Sequence, residues 1–142
     1  MPVLLVLGYV WPEPKSSAAG WRMLSLLRMY REQGWRIVFA CAAELSVHRF
    51  DLLSWGIEEW SIAVNDSELS AQFAALAPDA VLFDRFMIEE QFGWKIDEAC
   101  PNALKILDSE DLHFLRDARQ QAFKAGRELK DHDLHSELAL RE

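Results

Sequence analysis

The densest group of chemistry-bearing side chains is the run Asp108-Ser109-Glu110-Asp111-Leu112-His113-Phe114-Leu115-Arg116. It holds three carboxylates, one histidine and one arginine within nine residues. If Ser109 caps a helix, Glu110, Asp111 and His113 fall in its first turn. Acids are favoured there by the helix dipole, which gives Glu110 and Asp111 a purely structural reason to be present. A cation is disfavoured at that end, so His113 is expected to be neutral, and a neutral imidazole suits acid–base or hydrogen-bonding work. A satisfied structural histidine reads equally well.

A second group is Asp84-Arg85-Phe86. A carboxylate at a strand end orients a hydroxyl, and an arginine fork holds phosphate or carboxylate. The plainer alternative is that Asp84 and Arg85 pair with each other or cap the next helix. A third group is the loop Tyr9 to Ser17, rich in Pro and Ser, followed by the small residues Ala18, Ala19 and Gly20. Ser16 or Ser17 caps the helix that begins there, and its free N–H groups favour an anion, making Ser17 and Gly20 binding candidates. A capped helix after a proline turn explains the same residues without a ligand. The loop is neither a GxGxxG fingerprint nor a P-loop, which excludes dinucleotide and ATP sites of those kinds.

His132 and His135 have a spacing that suits a metal, yet no third or fourth ligand accompanies them. No metal and no cofactor is therefore expected. Trp11, Trp21 and Trp94 stack on a sugar or belong to the core. Cys41 and Cys100 lack metal-ligand spacing; Cys41 reads as a buried thiol in a strand, which suits a reducing cytoplasm.

These groups sit at the ends of a regular alternation. Val3 to Leu7 is a continuous apolar run, the pattern of a strand buried on both faces. A helix from Ala18 to about Gly34 follows, then a strand over Arg36 to Cys41. A short helix over Val47 to Ser54 and a weaker strand over Glu59 to Val64 come next. Asn65-Asp66-Ser67 caps a helix over Glu68 to Leu76, and Ala80 to Phe83 is the fourth strand. A helix over Ile88 to Ala99 leads to the fifth strand, Ala103 to Leu107. This alternation predicts an α/β fold, a Rossmann-like open parallel sheet of about five strands with helices on both faces. Ligands of such sheets bind beyond the carboxyl ends of the strands, where all three groups lie.

The chain has 142 residues and is 51% hydrophobic, with six Trp and eight Phe, enough for one domain core. Residues 109–142 read as a charged helical segment of that domain. In it Asp131 to Glu142 reads as helix, and Leu134, Leu138 and Leu140 form a stripe that needs a cover: this domain, a further segment or a second copy in a homodimer. A net charge of −8 argues against nucleic acid as a partner. No apolar run approaches the roughly 18 residues of a membrane span, and the N-terminus lacks the basic region of a signal peptide.

Several stretches resemble the retaining GT-B glycosyltransferases of family four. Tyr9, Pro12, Pro14, Gly20 and Arg22, followed by a helix and Gly34-Trp35-Arg36-Ile37-Val38, are similar to the opening of that family. Pro78-Asp79-Ala80-Val81 is similar to its fourth strand, and Asp108-Ser109-Glu110-Asp111-Leu112-His113 with Arg116 resembles a D-x-x-D-L-H-x-x-R stretch of some members. Where the family has paired glycines, this chain has Ala19-Gly20. The resemblance implies an N-terminal domain that binds a sugar or lipid-linked acceptor. A second domain, outside these residues, would hold the nucleotide-sugar donor, so this segment alone is expected to be inactive. It further implies a catalytic role for Asp108 or His113, and contacts from Arg85 and Arg116 to an anionic acceptor or the donor phosphate. The reading that competes with it is a stand-alone Rossmann-like ligand-binding or regulatory module that dimerises through its C-terminal helix. A small hydrolase acting through Asp84 and His113 is a third reading, though no G-x-S-x-G elbow is present.

Overall fold

A computed structural model of the chain describes residues 1–109, 113–134 and 137–141, with backbone only at 113, 114, 131, 133 and 137. It divides into two compact units, Met1–Asp108 and Ser109–Glu142. The first unit runs β1 (Val3–Gly8), α1 (Ala18–Glu32), β2 (Arg36–Cys41), a 3-10 turn (Leu52–Trp55), β3 (Glu58–Ser61), α2 (Leu69–Leu76), β4 (Ala80–Asp84), α3 (Phe86–Ala99) and β5 (Leu104–Asp108).

All five strands are parallel, in the order β3-β2-β1-β4-β5. Growth of the sheet therefore reverses between β1 and β4, the switch point at which open α/β sheets form a crevice. The apolar run in β1 is explained by this central place: Leu4, Leu5, Val6 and Leu7 are all buried. Leu4 and Val6 join Met23, Leu24 and Leu27 of α1 in one core. Leu5 and Leu7 join Phe73 of α2 with Ile88, Phe92 and Ile96 of α3 in the other.

Ser17 is the α1 cap: it is extended, and its Oγ accepts the Gly20 N–H at 3.0 Å. The expected helix over Val47 to Ser54 does not form. The Phe50 N–H donates to the Pro12 carbonyl at 2.8 Å and the His48 N–H to Ser46 Oγ at 3.1 Å, which takes those amides out of any helical ladder. Only one 3-10 turn remains, at Leu52–Trp55. β3 lies earlier than expected, at Glu58–Ser61, because among the described residues it pairs with β2 alone and ends level with Cys41. Asp66 Oδ1 accepts the Glu68 N–H at 2.9 Å just ahead of α2.

In the second unit α4 (His113–Lys124) contacts both a 3-10 turn (Asp131–Leu134) and α5 (Glu137–Arg141). The continuous helix expected over Asp131 to Glu142 is thus two pieces, with 135–136 outside the described residues. Leu134 and Leu138 are half-buried, whereas Leu140 is exposed. No helix among the described residues is long and apolar enough to cross a membrane.

Candidate functional site

The carboxyl ends of β1, β4 and β5 bring Tyr9, Asp84, Arg85 and Asp108 together. Asp84 and Asp108 are register partners on adjacent strands, and both are buried. Two buried carboxylates side by side need donors. Asp84 Oδ2 accepts the Tyr9 N–H at 3.1 Å, which fixes the start of the first loop. Its Oδ1 lies 3.5 Å from Arg85 Nε, so the pairing of Asp84 with Arg85 foreseen as the plainer alternative is present. Asp108 is held by Arg22 of α1, with Nη2 2.7 Å from Oδ1 and Nε 3.4 Å from Oδ2.

Arg85 carries the most unusual backbone of the group, with φ 78° and ψ 155°. That region is essentially reserved for glycine, and a side chain there costs about 1–3 kcal/mol. The conformation is enforced from both sides. The Arg85 N–H donates to the Asp108 carbonyl at 2.9 Å, and its carbonyl accepts the Ile88 N–H at 3.2 Å in the first turn of α3. The guanidinium sits 4.6 Å from the centroid of the Tyr9 ring, a cation–π contact. This turn is why α3 opens at Phe86, ahead of the expected Ile88.

Gly20 is demanded by packing. A Cβ there would stand 2.7 Å from the Glu13 carbonyl carbon and oxygen, so the first loop itself occupies the approach expected of a ligand. Ser17, Gly20, Asp84 and Arg85 do line one hollow, but its volume is about 30 Å3, the room of a single water. A larger ligand would have to meet these residues at the mouth of the hollow. A roomier hollow of about 580 Å3 lies away from them, beside β3 and α2, and its Arg36 is already engaged by Glu58 at 2.9 Å.

The remaining candidates are placed as follows. Arg116 is exposed on α4, in the second unit. His113 opens α4; its side chain and residues 110–112 lie outside the described residues. Trp11 is a core residue, and its Nε1 donates to the Ala43 carbonyl at 3.0 Å. Trp21 and Trp94 are exposed. Cys41 and Cys100 are free and buried, and burial pushes the Cys41 thiol up to about 11. No group of three metal-ligating side chains occurs among the described residues, where His135 is not included.

The partnership of Arg22 with Asp108 is not foreseen from the sequence. The one signal was chemical: an arginine one turn into the helix that follows the first loop, on the side of the carboxyl edge. As a whole the site offers two guanidinium groups at the switch-point crevice, each braced by a buried carboxylate. Braced cations of this kind suit recognition of an anionic or hydroxyl-rich ligand and need no metal. No protein-family model and no curated protein matches the chain.

Proposed function

We propose that the chain is the acceptor-side, N-terminal domain of a GT-B glycosyltransferase, which moves a sugar from a nucleotide-sugar donor to an acceptor. The donor would be held by a second domain, and the reaction would take place over the carboxyl edge of this sheet. The observation that carries the reading is Arg85. A non-glycine residue kept in a glycine conformation at the switch point is the kind of strain that gathers at functional sites. Its side chain is delivered to the crevice together with Tyr9 and Asp84, and Arg22 with Asp108 stands beside them. In this reading Arg85 contacts an anionic or hydroxylated part of the substrate, while Asp84 and Asp108 position the two arginines. His113 and Arg116 enter through the family resemblance.

The test is sugar transfer by the native gene product, offered a panel of radiolabelled nucleotide-sugars, with nucleotide release and labelled product both read. Arg85→Gly and Asp108→Asn are expected to lower transfer by about a hundredfold, the scale of losing one charge-stabilising contact. Unchanged transfer in both variants, or no transfer with any donor, overturns the reading.

The stand-alone module has its own support in Leu140 and Phe123, which are 83% and 85% exposed in the second unit. A stable dimer in sedimentation analysis, lost in Leu140→Glu, together with no transfer activity, would favour it.

A further inference from the structure

Beside the switch-point crevice, the first loop and the loop before the 3-10 turn enclose two adjoining hollows of different character. The first, about 380 Å3, is lined by Lys15, Ser16, His48, Arg49 and Asp51. The second, about 260 Å3, is lined by Trp21, Leu24, Ser25, Arg28 and Trp55. Pro14 and Phe50 line both, so the hollows meet across these two rings.

The walls are pinned. The Phe50 N–H bonds the Pro12 carbonyl, Ser46 Oγ bonds Glu13, and Phe50 packs edge-on against Trp55 with centroids 4.7 Å apart. The first hollow gathers Lys15, His48 and Arg49 in a chain of net charge −8. Arg49 is anchored at its base, with Nη2 3.4 Å from Glu59 Oε2 and Nη1 3.4 Å from the Ser46 carbonyl. Among the described residues neither the Lys15 ammonium nor the His48 imidazole has a partner, and Asp51 is the one carboxylate in the lining. The Lys15 ammonium and a ring N–H of His48 are therefore left as donors for an anion.

The second hollow is mostly apolar, and two of its polar groups are partly engaged. Its Ser25 Oγ already donates to the Trp21 carbonyl at 3.0 Å, and Arg28 Nε bonds Glu32 at 2.9 Å. The larger part of its lining is the face of Trp21, 64% exposed, with Pro14, Leu24, Phe50 and Trp55. Such a surface gains by covering hydrocarbon.

We propose that the paired hollows bind one amphipathic anion, a phosphate head at Lys15, His48 and Arg49 and a hydrocarbon tail over Trp21 and Trp55. The site is thereby assigned to a lipid phosphate. As the identity of the acceptor, this rests on the acceptor-side reading above; as a binding site it does not. The head would lie on the flank of the first loop, whose Ser17 and Gly20 border the switch-point hollow.

The experiment is calorimetric titration of the full chain with monomeric octyl phosphate, inorganic phosphate, glucose 6-phosphate and octyl glucoside. Octyl phosphate is expected to bind at least about tenfold more tightly than the other three, since each lacks the head or the tail. Lys15→Glu and Trp21→Ser, both exposed and outside the core, are each expected to weaken octyl phosphate by about tenfold, with Lys15→Arg restoring it. Octyl phosphate no tighter than inorganic phosphate, glucose 6-phosphate equally tight, or affinity unmoved by both variants overturns the proposal. Binding is read without a donor sugar, so such a result leaves sugar transfer to be judged by its own assay.

Discussion

Arg22 and Asp108 stand 86 residues apart in the chain, yet the arginine Nη2 lies 2.7 Å from the carboxylate Oδ1. The pair is lopsided: the arginine side chain is 55% exposed and the aspartate side chain 6%. The carboxylate has given up water and depends on its donor, whereas the arginine has lost little. Removing the exposed partner should therefore cost more than its exposure suggests. Arg22→Ala is expected to destabilise the fold by about 1.5–3 kcal/mol, the scale of a hydrogen bond to a charged group. Arg22→Lys should recover only part of this, because an ammonium cannot form the fork. Urea midpoints check both; an Arg22→Ala midpoint equal to the parent's would remove the pair from any account of the site.

Gly20 gives a prediction of sign. Inside a helix, alanine normally stabilises relative to glycine by about 0.5–1 kcal/mol. Here the added Cβ would stand within 2.9 Å of three Glu13 backbone atoms, which cannot swing aside as a side chain would. Gly20→Ala should destabilise, by about 1–3 kcal/mol, the range for overpacking. Gly34→Ala is the comparison: its space is open, and its cost comes from φ +84° alone, about 1 kcal/mol. Hydrogen exchange separates them, since only Gly20→Ala should expose the amides of the first loop.

Arg85 should separate stability from function. Arg85→Ala keeps the strained backbone and loses the Tyr9 and Asp84 contacts, so it should destabilise. Arg85→Gly loses the same contacts but relieves about 1–3 kcal/mol of strain, and should be the more stable of the two. Thermal melts of the two variants give the order; an alanine variant more stable than the glycine variant would deny the strain.

The buried thiols give the pH dependence. Desolvation raises Cys41 from 9.0 to about 11, and it raises Cys100 in the same direction. The unfolded chain releases these protons first as pH rises. Stability should therefore be full below about pH 9 and fall through the interval up to 11. Cys41→Ala should flatten that alkaline slope. Neither thiol should react with Ellman's reagent at pH 8 until the protein is unfolded; prompt reaction in the native state would contradict their burial.

The sheet was legible in the sequence because its signal is local: a central parallel strand must be apolar through its middle, and β1, β2 and β4 are, with Arg36 and Asp84 only at strand ends. A serine cap for α1 was equally local, and the structure gives it to Ser17 of the pair Ser16 and Ser17. The helix expected over Val47 to Ser54 is absent because amides of that segment are taken by Pro12 and Ser46, partners that no periodicity there reveals. β3 stops where its neighbour β2 stops, a limit set by register and not by side-chain pattern. At the site, the position of Asp84, Arg85 and Asp108 followed from the strand ends. Their partners did not, because Tyr9 lies 75 residues from Asp84 and Arg22 lies 86 from Asp108. Nor does any residue type announce the left-handed turn at Arg85.

The two cores meet in one strand. Leu4 and Val6 serve one core while Leu5 and Leu7 serve the other, so β1 carries two interleaved messages, each read in steps of two. Swapping one of these leucines for another apolar residue disturbs a single message. Losing or gaining one residue between Val3 and Gly8 would exchange both at once, delivering each side chain to the wrong set of helices. The same slip would move Tyr9 off Asp84. Spelling in β1 is thus negotiable, but its length is not, and that fixed length measures the distance from the core to the crevice.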